Sequence, residues 1–415
     1  MPVPYITSGT TSSQLYTTIY TVVLEAKINT EQMIMAVPPP SFSLLFLLLF
    51  FFLFSISSAA QCNPSDKKVL LQIKTKLNPT NIAFSDWDPK ATPDCCEWFG
   101  IDCSTSARVT SLNLNLDVFV LAQQIPPAIG DLRFLQSLHV HGNLTGPIPV
   151  SIANLANLQT LELSSGLSGP IPKSLGRLKR LTHLDLSSNS LTGSIPSTLG
   201  QLAGLTYLDL SNNKLSSSIP DSLSGLTALD RLDLSSNRLT GPIPASLSHL
   251  TKITRLDLRA NRLSGSIPAS FGSFQNPVMD LFLGQNGLSG PIPRSFGKAI
   301  VNLLDLSMNH LTGDASFLFG SEKTALETIY LNHNRFKFDF SHVDLPMGIR
   351  DLDIQHNEIY GSLPKRLGQL RLRFINVSHN RLCGMIPTGR RLKHVSPDSF
   401  ANNKCLCGVP LPPCK

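Results

Sequence analysis

Residues 181–196 read LTHLDLSSNSLTGSIP, and the pattern returns as LTYLDLSNNKLSSSIP at 205–220, LDRLDLSSNRLTGPIP at 229–244 and ITRLDLRANRLSGSIP at 253–268. The Asn of this pattern recurs every 23 to 25 residues, at Asn189, Asn213, Asn237, Asn261, Asn286, Asn309, Asn334, Asn357 and Asn380. Eight consecutive intervals of nearly equal length indicate one array of repeats rather than a chain of unrelated domains.

Each position of the pattern has a physical role. The alternating Leu residues predict a short strand that buries one face, and the Asn amide can satisfy backbone groups where the chain leaves that strand. Gly permits the following turn, and Pro ends local pairing. A single repeat cannot bury enough apolar surface to fold alone, so neighbours must stack. We identify a leucine-rich-repeat array of about 12 repeats over residues 108–395.

The first 60 residues differ in composition from the rest. Residues 44–54 read LLFLLLFFFLF, and small residues follow at 58–60, which is typical of a secretory signal peptide cut before Gln61. A retained signal anchor is the alternative, but the apolar run is shorter than the roughly 20 residues that span a bilayer. Met33 and Met35 offer internal starts. We assign 33–60 to the signal peptide and 1–32 to a gene-model extension or a disordered leader.

The composition favours a folded protein, and a search for catalytic motifs finds none. The 415 residues are 42% hydrophobic and 15% charged, with net charge +7. Residues 1–60 contain one Lys and two Glu, so the 355 that follow carry +8. No metalloprotease, nucleophile-elbow, phosphate-loop or kinase motif is present, and we expect no enzyme activity, cofactor or metal. A secretory signal argues against a nucleic-acid partner, and no stable membrane span is expected in the mature chain.

The eight cysteines flank the repeats, four on each side. Behind a signal sequence an even count predicts disulfides. The pairs we expect are Cys62–Cys95, Cys96–Cys103, Cys383–Cys405 and Cys407–Cys414. Zinc at the last group is a weaker alternative, because its spacing is not the usual C-x-x-C. The pairs define an N-terminal cap at 61–107 and a C-terminal cap at 396–415. In the first cap, we expect Ser65 to cap the N-terminus of a helix with Leu70, Ile73 and Leu77 on its buried face.

Both caps resemble those of one plant family. DKKVLLQIKTKLNP at 66–79 and DCCEW at 94–98 are similar to the amino cap of polygalacturonase-inhibiting proteins, and INVSHNRLCGMIPTG at 375–389 and NKCLCGVPLPPC at 403–414 to the carboxyl cap. The resemblance covers about 61–415. It implies an α/β solenoid, a right-handed leucine-rich-repeat superhelix of the plant extracellular type with disulfide-bonded caps at both ends. It also implies a secreted glycoprotein of the cell wall (apoplast) that acts in plant defence.

The resemblance further implies a partner and leaves alternatives open. Members of the family bind fungal endopolygalacturonase on the concave face, without chemistry of their own. Close relatives are known as floral-development factors and as antifreeze proteins. A non-inhibitory role in receptor-linked signalling is therefore the second hypothesis, and ice binding ranks last because mixed side chains give no regular lattice.

The central residues of successive strands form a column that we expect to be exposed on the concave face. Most are acidic, and we expect Arg231 to compensate Asp233, and Arg255 and Arg259 to compensate Asp257. The residues we expect to bind the partner are Asp185, Tyr207, Asp209, Arg231, Asp233, Arg255, Asp257, Phe282, Asp305 and Tyr330. Ordinary repeat consensus explains these acids equally well.

Three further predictions rest on weaker sequence signals. Two sequons mark Asn143 and Asn376 for glycosylation, and the second lies on the expected binding face. Basic runs suggest binding to pectin or oligogalacturonides, with solvated charge as the alternative: Arg177, Lys179, Arg180, Arg390, Arg391 and Lys393. His333, His356 and His379 each precede a turn Asn, so their imidazoles would stack and repel on protonation.

Overall fold

The computed structural model describes residues 61–77, 84–117, 122–274, 279–389 and 391–415. The predictions for the leader and the signal peptide, and that for Arg390, lie outside these residues. Residues 61–415 form one compact unit. No helix within the described ranges is both long enough and apolar enough to cross a membrane.

The first cap begins with helix α1, Pro64–Leu77. Leu70, Ile73 and Leu77 are buried as expected. The expected cap is wrong: the Oδ1 of Asn63 accepts the N–H of Ser65, and Pro64 opens the helix, where its missing N–H costs nothing. The buried face of the helix also carries Asp66, whose contacts are described below.

Thirteen strands of the described residues form one continuous sheet, β1 to β13 in chain order. β1 runs antiparallel to β2, and every later neighbour is parallel. Twelve parallel strands therefore span the expected repeat region. The strands are β1 Ile101–Cys103, β2 Val109–Leu116, β3 Ser137–Gly142, β4 Thr160–Leu163, β5 His183–Asp185, β6 Tyr207–Asp209, β7 Arg231–Asp233, β8 Arg255–Asp257, β9 Met279–Phe282, β10 Val301–Asp305, β11 Thr328–Tyr330, β12 Asp351–Asp353 and β13 Phe374–Asn376.

Shorter strands form smaller sheets from the Leu-Thr-Gly part of the repeats. Gly241 shows why Gly is used there, because its φ of 78° is a backbone conformation that other residues rarely adopt. These strands are Gln123–Gln124, Leu144–Thr145, Ser168–Pro170, Ser190–Gly193, Lys214–Leu215, Thr240–Gly241, Arg262–Gly265, Gly287–Pro291, His310–Gly313, Arg335–Phe336, Tyr360–Gly361, Arg381–Met385 and Cys405–Cys407.

The returning half of most repeats is a single 3-10 turn rather than an α-helix. The Pro of the Ile-Pro pair precedes it in an extended conformation, as Pro220 does with a φ of −74°. The 3-10 helices are Cys95–Glu97, Pro127–Asp131, Val150–Asn154, Lys173–Arg177, Ser197–Gln201, Asp221–Gly225, Ala245–His249, Ala269–Ser273, Arg294–Lys298, Ser316–Leu318, Lys365–Gln369, Leu392–His394 and Pro397–Ser399.

The turn Asn residues form a ladder along the interior. Asn213 donates to the carbonyl oxygens of Leu186, Leu210 and Ser211, and its Oδ1 accepts the N–H of Leu191 in the preceding repeat. One side chain thus closes its own turn and joins two repeats. The ladder continues one step further than expected, to Asn403 in the C-terminal cap, which makes the same contacts.

Disulfides close both ends. The structure pairs Cys62 with Cys95, Cys96 with Cys103, Cys383 with Cys405, and Cys407 with Cys414, which are the pairs expected from the sequence. All eight cysteines are bonded, so no thiolate remains for zinc at Cys405 and Cys407.

In the first cap, the buried Asp66 joins the helix to the sheet. Its carboxylate accepts two hydrogen bonds from the guanidinium of Arg108, both at 2.8 Å, and one from the N–H of Val109. A two-fold Arg–carboxylate contact combines charge with fixed geometry. The cap helix is thereby held on the first repeat.

Candidate functional site

The outer face of the sheet, called here the sheet face, carries the side chains that alternate with the buried Leu residues of β3 to β13. The register aligns their central residues in one column, as expected. The column runs through His139, Glu162, Asp185, Asp209, Asp233, Asp257, Phe282, Asp305, Tyr330, Asp353 and Asn376.

The expectation that this whole column is exposed is wrong in its central part and at Asp353, which has 7% of its surface exposed. Asp185, Asp209 and Asp233 are half-buried, but Asp257, Phe282 and Asp305 have 0%, 6% and 7% of their surface exposed. The physical reason is the length of the neighbouring side chains. The residues two positions after the first three carboxylates are serines, which leave those carboxylates partly open, whereas Arg255 and Arg259 fold over Asp257 and Phe282.

Arg255 and Arg259 form a lid over Asp257 and Phe282. Arg259 places Nη2 2.7 Å and Nε 3.0 Å from the carboxylate oxygens of Asp257, and Arg255 places Nη2 at 3.3 Å. Both guanidinium groups also lie over the Phe282 ring, 4.4 and 4.3 Å from its centroid. The expected compensation of Asp257 is present, and the surface offered to a partner here is cationic.

Arg231 does not compensate Asp233 as expected. Its Nε lies 3.6 Å from the Oδ2 of Asp230, while Asp233 accepts hydrogen bonds from the N–H and Oγ of Ser235. Arg231 remains 60% exposed. The backbone turn, rather than a cation, satisfies the carboxylate, and this leaves the guanidinium accessible to a partner.

An aromatic and acidic patch lies beside the arginines, on β5 and β6. The hydroxyl of Tyr207 donates to the Oδ2 of Asp209 at 3.2 Å, and the Tyr207 ring stacks on His183 with centroids 4.2 Å apart. Asp185 and Asp209 each accept the N–H of the Ser two residues later. Burial, then the charges of Asp209 and Asp185, raise the pKa of Tyr207, so its hydroxyl stays a donor.

Burial also changes the acids of the column. It raises the pKa of Asp233, Asp305 and Asp353 above the usual carboxyl value, and hydrogen bonds from Ser235, Ser307 and Gln355 act in the opposite direction. These side chains hold a proton more readily than free Asp does. The negative charge of the sheet face therefore decreases at acidic pH. At the far end, burial and the charge of Asp351 raise the pKa of the half-buried Tyr330.

Three histidines surround Glu162, which the sequence analysis did not anticipate. His139 Nδ1 lies 2.9 Å and His141 Nε2 3.8 Å from Oε2, and His183 Nε2 lies 3.3 Å from Oε1. The sequence does contain one indication of this cluster: His139 and His141 are two residues apart in a predicted strand, so their side chains lie on the same face. Glu162 is paired with His139 on the next strand, but the side-chain directions that bring the imidazoles to its carboxylate do not follow from the repeat pattern.

The two sequon residues occupy different settings. Asn143 is exposed and directly precedes the strand Leu144–Thr145. Asn376 is half-buried on β13, donates to the Oε1 of Gln355, and accepts from Ser378. A glycan at Asn376 would replace the contact with Gln355 and stand on the sheet face. Glycosylation of Asn143 stays the favoured prediction.

Comparison with known proteins identifies the family. Profiles described as "Leucine rich repeat" and "Leucine rich repeat N-terminal domain" match residues 171–215 and 205–263, and residues 63–104. Polygalacturonase inhibitor 2 of Arabidopsis thaliana is 47% identical over 360 residues, which cover 85% of this chain and 93% of the relative. The polygalacturonase inhibitor of Pyrus communis is 45% identical over 357 residues, covering 85% and 92%.

A solved structure extends the similarity to the fold. The crystal structure of a plant ice-binding protein has a TM-score of 0.60 and 38% identity, covering 86% of this chain and 99% of that one. The two relatives named above are inhibitors and not enzymes, in agreement with the expectation of a non-catalytic protein. The chain belongs to the polygalacturonase inhibitor family of leucine-rich-repeat proteins.

Proposed function

We propose that the protein is secreted to the plant cell wall and there binds and inhibits fungal endopolygalacturonase through its sheet face. The observation that carries the proposal is identity of 45 to 47% with named polygalacturonase inhibitors along nearly the whole length of those proteins. The sheet face supports it, because exposed Arg and Tyr side chains are typical anchors of protein interfaces.

The docking surface that we propose has two neighbouring parts of opposite charge. Asp185, Tyr207 and Asp209 present carboxylates and an aromatic ring, while Arg231 and the Arg255–Arg259 lid present cations. Charge arranged in this way orients a partner and excludes wrong ones. Asp257 and Phe282 contribute from beneath, by holding the lid, rather than by direct contact. The buried Asp305 contributes through its charge, which interacts with Arg259. Asp233 lies between the two parts, on β7, and Tyr330 lies at the far end of the surface, on β11.

The experiment is a reducing-sugar assay of several fungal endopolygalacturonases with the purified protein. Asp185→Arg is the test variant, because Asp185 is half-buried and, among the described residues, accepts one hydrogen bond only, from Ser187. We expect inhibition of at least one enzyme, weakened about tenfold or more by Asp185→Arg, the loss typical of an interface contact worth about 1.4 kcal/mol. Asp305→Arg is unsuitable, since this carboxylate is buried.

Asp221→Arg is the matched control. It makes the same change of charge at an exposed residue of the 3-10 helix Asp221–Gly225, outside the sheet face. Equal inhibition by the Asp185→Arg and Asp221→Arg variants would remove Asp185 from the docking surface. Absence of inhibition across the whole panel would overturn the proposed function itself.

We also propose that acidic polysaccharide is a secondary ligand. Arg177, Lys179 and Arg180 support this, because they cluster at the end of the 3-10 helix Lys173–Arg177 and none of them forms an ion pair with a carboxylate among the described residues. Lys179 contacts Gln201, and Arg180 contacts Asn157, both through neutral oxygens. De-esterified pectin is the polyanion that fits such a surface in a plant wall.

A further inference from the structure

We propose that His139, His141 and Glu162 form a binding site for one zinc ion at the N-terminal end of the sheet face. The inference does not depend on the proposed inhibitor function. It reverses the sequence-based expectation that the chain has no metal site.

The three ligand atoms already converge. One ring nitrogen of His139, one of His141 and a carboxylate oxygen of Glu162 lie within 4.8 Å of one another. A tetrahedral zinc site with bonds of about 2.0–2.1 Å places ligand atoms about 3.3 Å apart. The measured distances to Oε2, 2.9 Å from His139 and 3.8 Å from His141, lie on either side of that value. Only small movements of these side chains would admit the ion.

The backbone makes this convergence rigid. His139 and His141 are alternate residues of β3, so they project from the same face, and Glu162 on β4 is paired directly with His139. Ligands carried by adjacent paired strands keep their spacing better than ligands carried by loops. The side chains are one-quarter to two-fifths exposed, which leaves a path for an ion and a fourth position for water.

A second set of residues fixes the ligands. His141 Nδ1 lies 2.9 Å from the Oγ of Ser164, and donation of a proton there leaves the Nε2 lone pair for a metal. His183 approaches the other oxygen of Glu162 at 3.3 Å, and its ring is stacked on Tyr207. Metal-binding histidines and carboxylates characteristically have such outer partners.

The donor set determines the kind of metal. Two imidazoles and one carboxylate suit zinc, whereas calcium takes six to eight oxygen ligands. All eight cysteines are in disulfides, so no thiolate competes for the ion within the described chain. His333, His356 and His379 form a separate stack of imidazoles, with centroids 4.3 and 3.9 Å apart. Among the described residues they form no ion pair with a carboxylate, so this stack provides a control.

The test is isothermal titration of the purified chain, without a polyhistidine tag and after removal of metal, with zinc chloride. We expect one zinc per chain and no binding of calcium chloride. His141→Gln and Glu162→Gln each remove a ligand, and we expect each to weaken zinc binding by about 100-fold or more. Ser164→Ala removes an outer hydrogen-bond partner, and we expect it to weaken zinc binding by about tenfold. His356→Gln leaves zinc binding unchanged. Circular dichroism checks that each variant is folded.

A spectroscopic readout reports the coordination geometry of the site in addition to the affinity. Cobalt in place of zinc should give the visible spectrum of a tetrahedral centre in the wild type and in the His356→Gln variant, and this spectrum should be lost in the Glu162→Gln variant. Absence of zinc binding by the wild type overturns the proposal. Binding that survives both His141→Gln and Glu162→Gln, or that His356→Gln abolishes, also overturns it.

Discussion

At the scale of single residues, Asn237 shows how one side chain holds two repeats together. Its amide donates to the carbonyl oxygens of Leu210, Leu234 and Ser235, and its Oδ1 accepts the N–H of Leu215. Two of these partners belong to the preceding repeat. Asn237 is 8% exposed, so water cannot easily replace the lost partners.

We therefore predict that Asn237→Ala lowers the free energy of unfolding by about 3 kcal/mol, since leaving buried polar groups unpaired costs about 1–3 kcal/mol each. The neighbouring Ser236→Ala is the control. Ser236 has a φ of 54°, and Ala260 occupies the same repeat position with a φ of 52°, so Ala is compatible with this backbone. We expect Ser236→Ala to change stability by less than about 0.5 kcal/mol. Equal urea midpoints for the two variants would contradict the role of the ladder.

At the scale of elements, the strands and their register could be predicted because the sequence repeats. Each Leu-x-Leu followed by Asn fixes a strand and a turn, and equal spacing puts Asp185 beside Asp209 in the next strand. Burial of the column could not be predicted in this way. Asp257 occupies the same repeat position as Asp209, but the arginines at 255 and 259 are long enough to cover it and Phe282.

The histidines beside Glu162 escaped prediction for a related reason. Nothing in the repeat pattern marks His139 or His141, and the contact with Glu162 depends on side-chain directions across two strands. The first cap shows the same limit on a smaller scale. Asn63 and Ser65 are both good helix caps, and only the backbone geometry before Pro64 decides between them.

The stack of His333, His356 and His379 gives a prediction about pH. Burial, and then the neighbouring His333 and His379, lower the pKa of His356. The unfolded chain therefore binds a proton at this residue more readily than the folded chain does. The contribution of His356 to the free energy of unfolding therefore falls as the pH drops below about 6.5. It is lost completely below the pKa of His356 in the folded chain.

We expect His356→Gln to reduce this pH dependence, measured as urea midpoints between about pH 5 and pH 8. His249→Gln, at the end of the 3-10 helix Ala245–His249, should retain the dependence of the wild type. Chelator is included throughout, so that metal at His139 and His141 does not contribute. A His356→Gln variant with the full wild-type slope would show that the stack does not govern acid stability.

At the scale of the whole repeat array, each repeat contacts mainly its neighbours, so stability is a sum of local terms and the two ends need caps. The C-terminal cap resembles one more repeat, because Asn403 makes the hydrogen bonds of a turn Asn and Phe400 is fully buried. Cys383 and Cys405 join the last paired strands, Arg381–Met385 and Cys405–Cys407. This disulfide therefore holds the end of the array closed.

Replacement of both Cys383 and Cys405 by Ser opens a loop of 22 residues and should cost about 3 kcal/mol. In a one-dimensional array this loss acts first on the repeats next to the cap. Hydrogen exchange measured by mass spectrometry should show lost protection in β13 and the strand Arg381–Met385, while β2 to β5 keep the protection of the wild type. A uniform loss along all strands would instead mean that the array unfolds as one unit, with the cap coupled to every repeat.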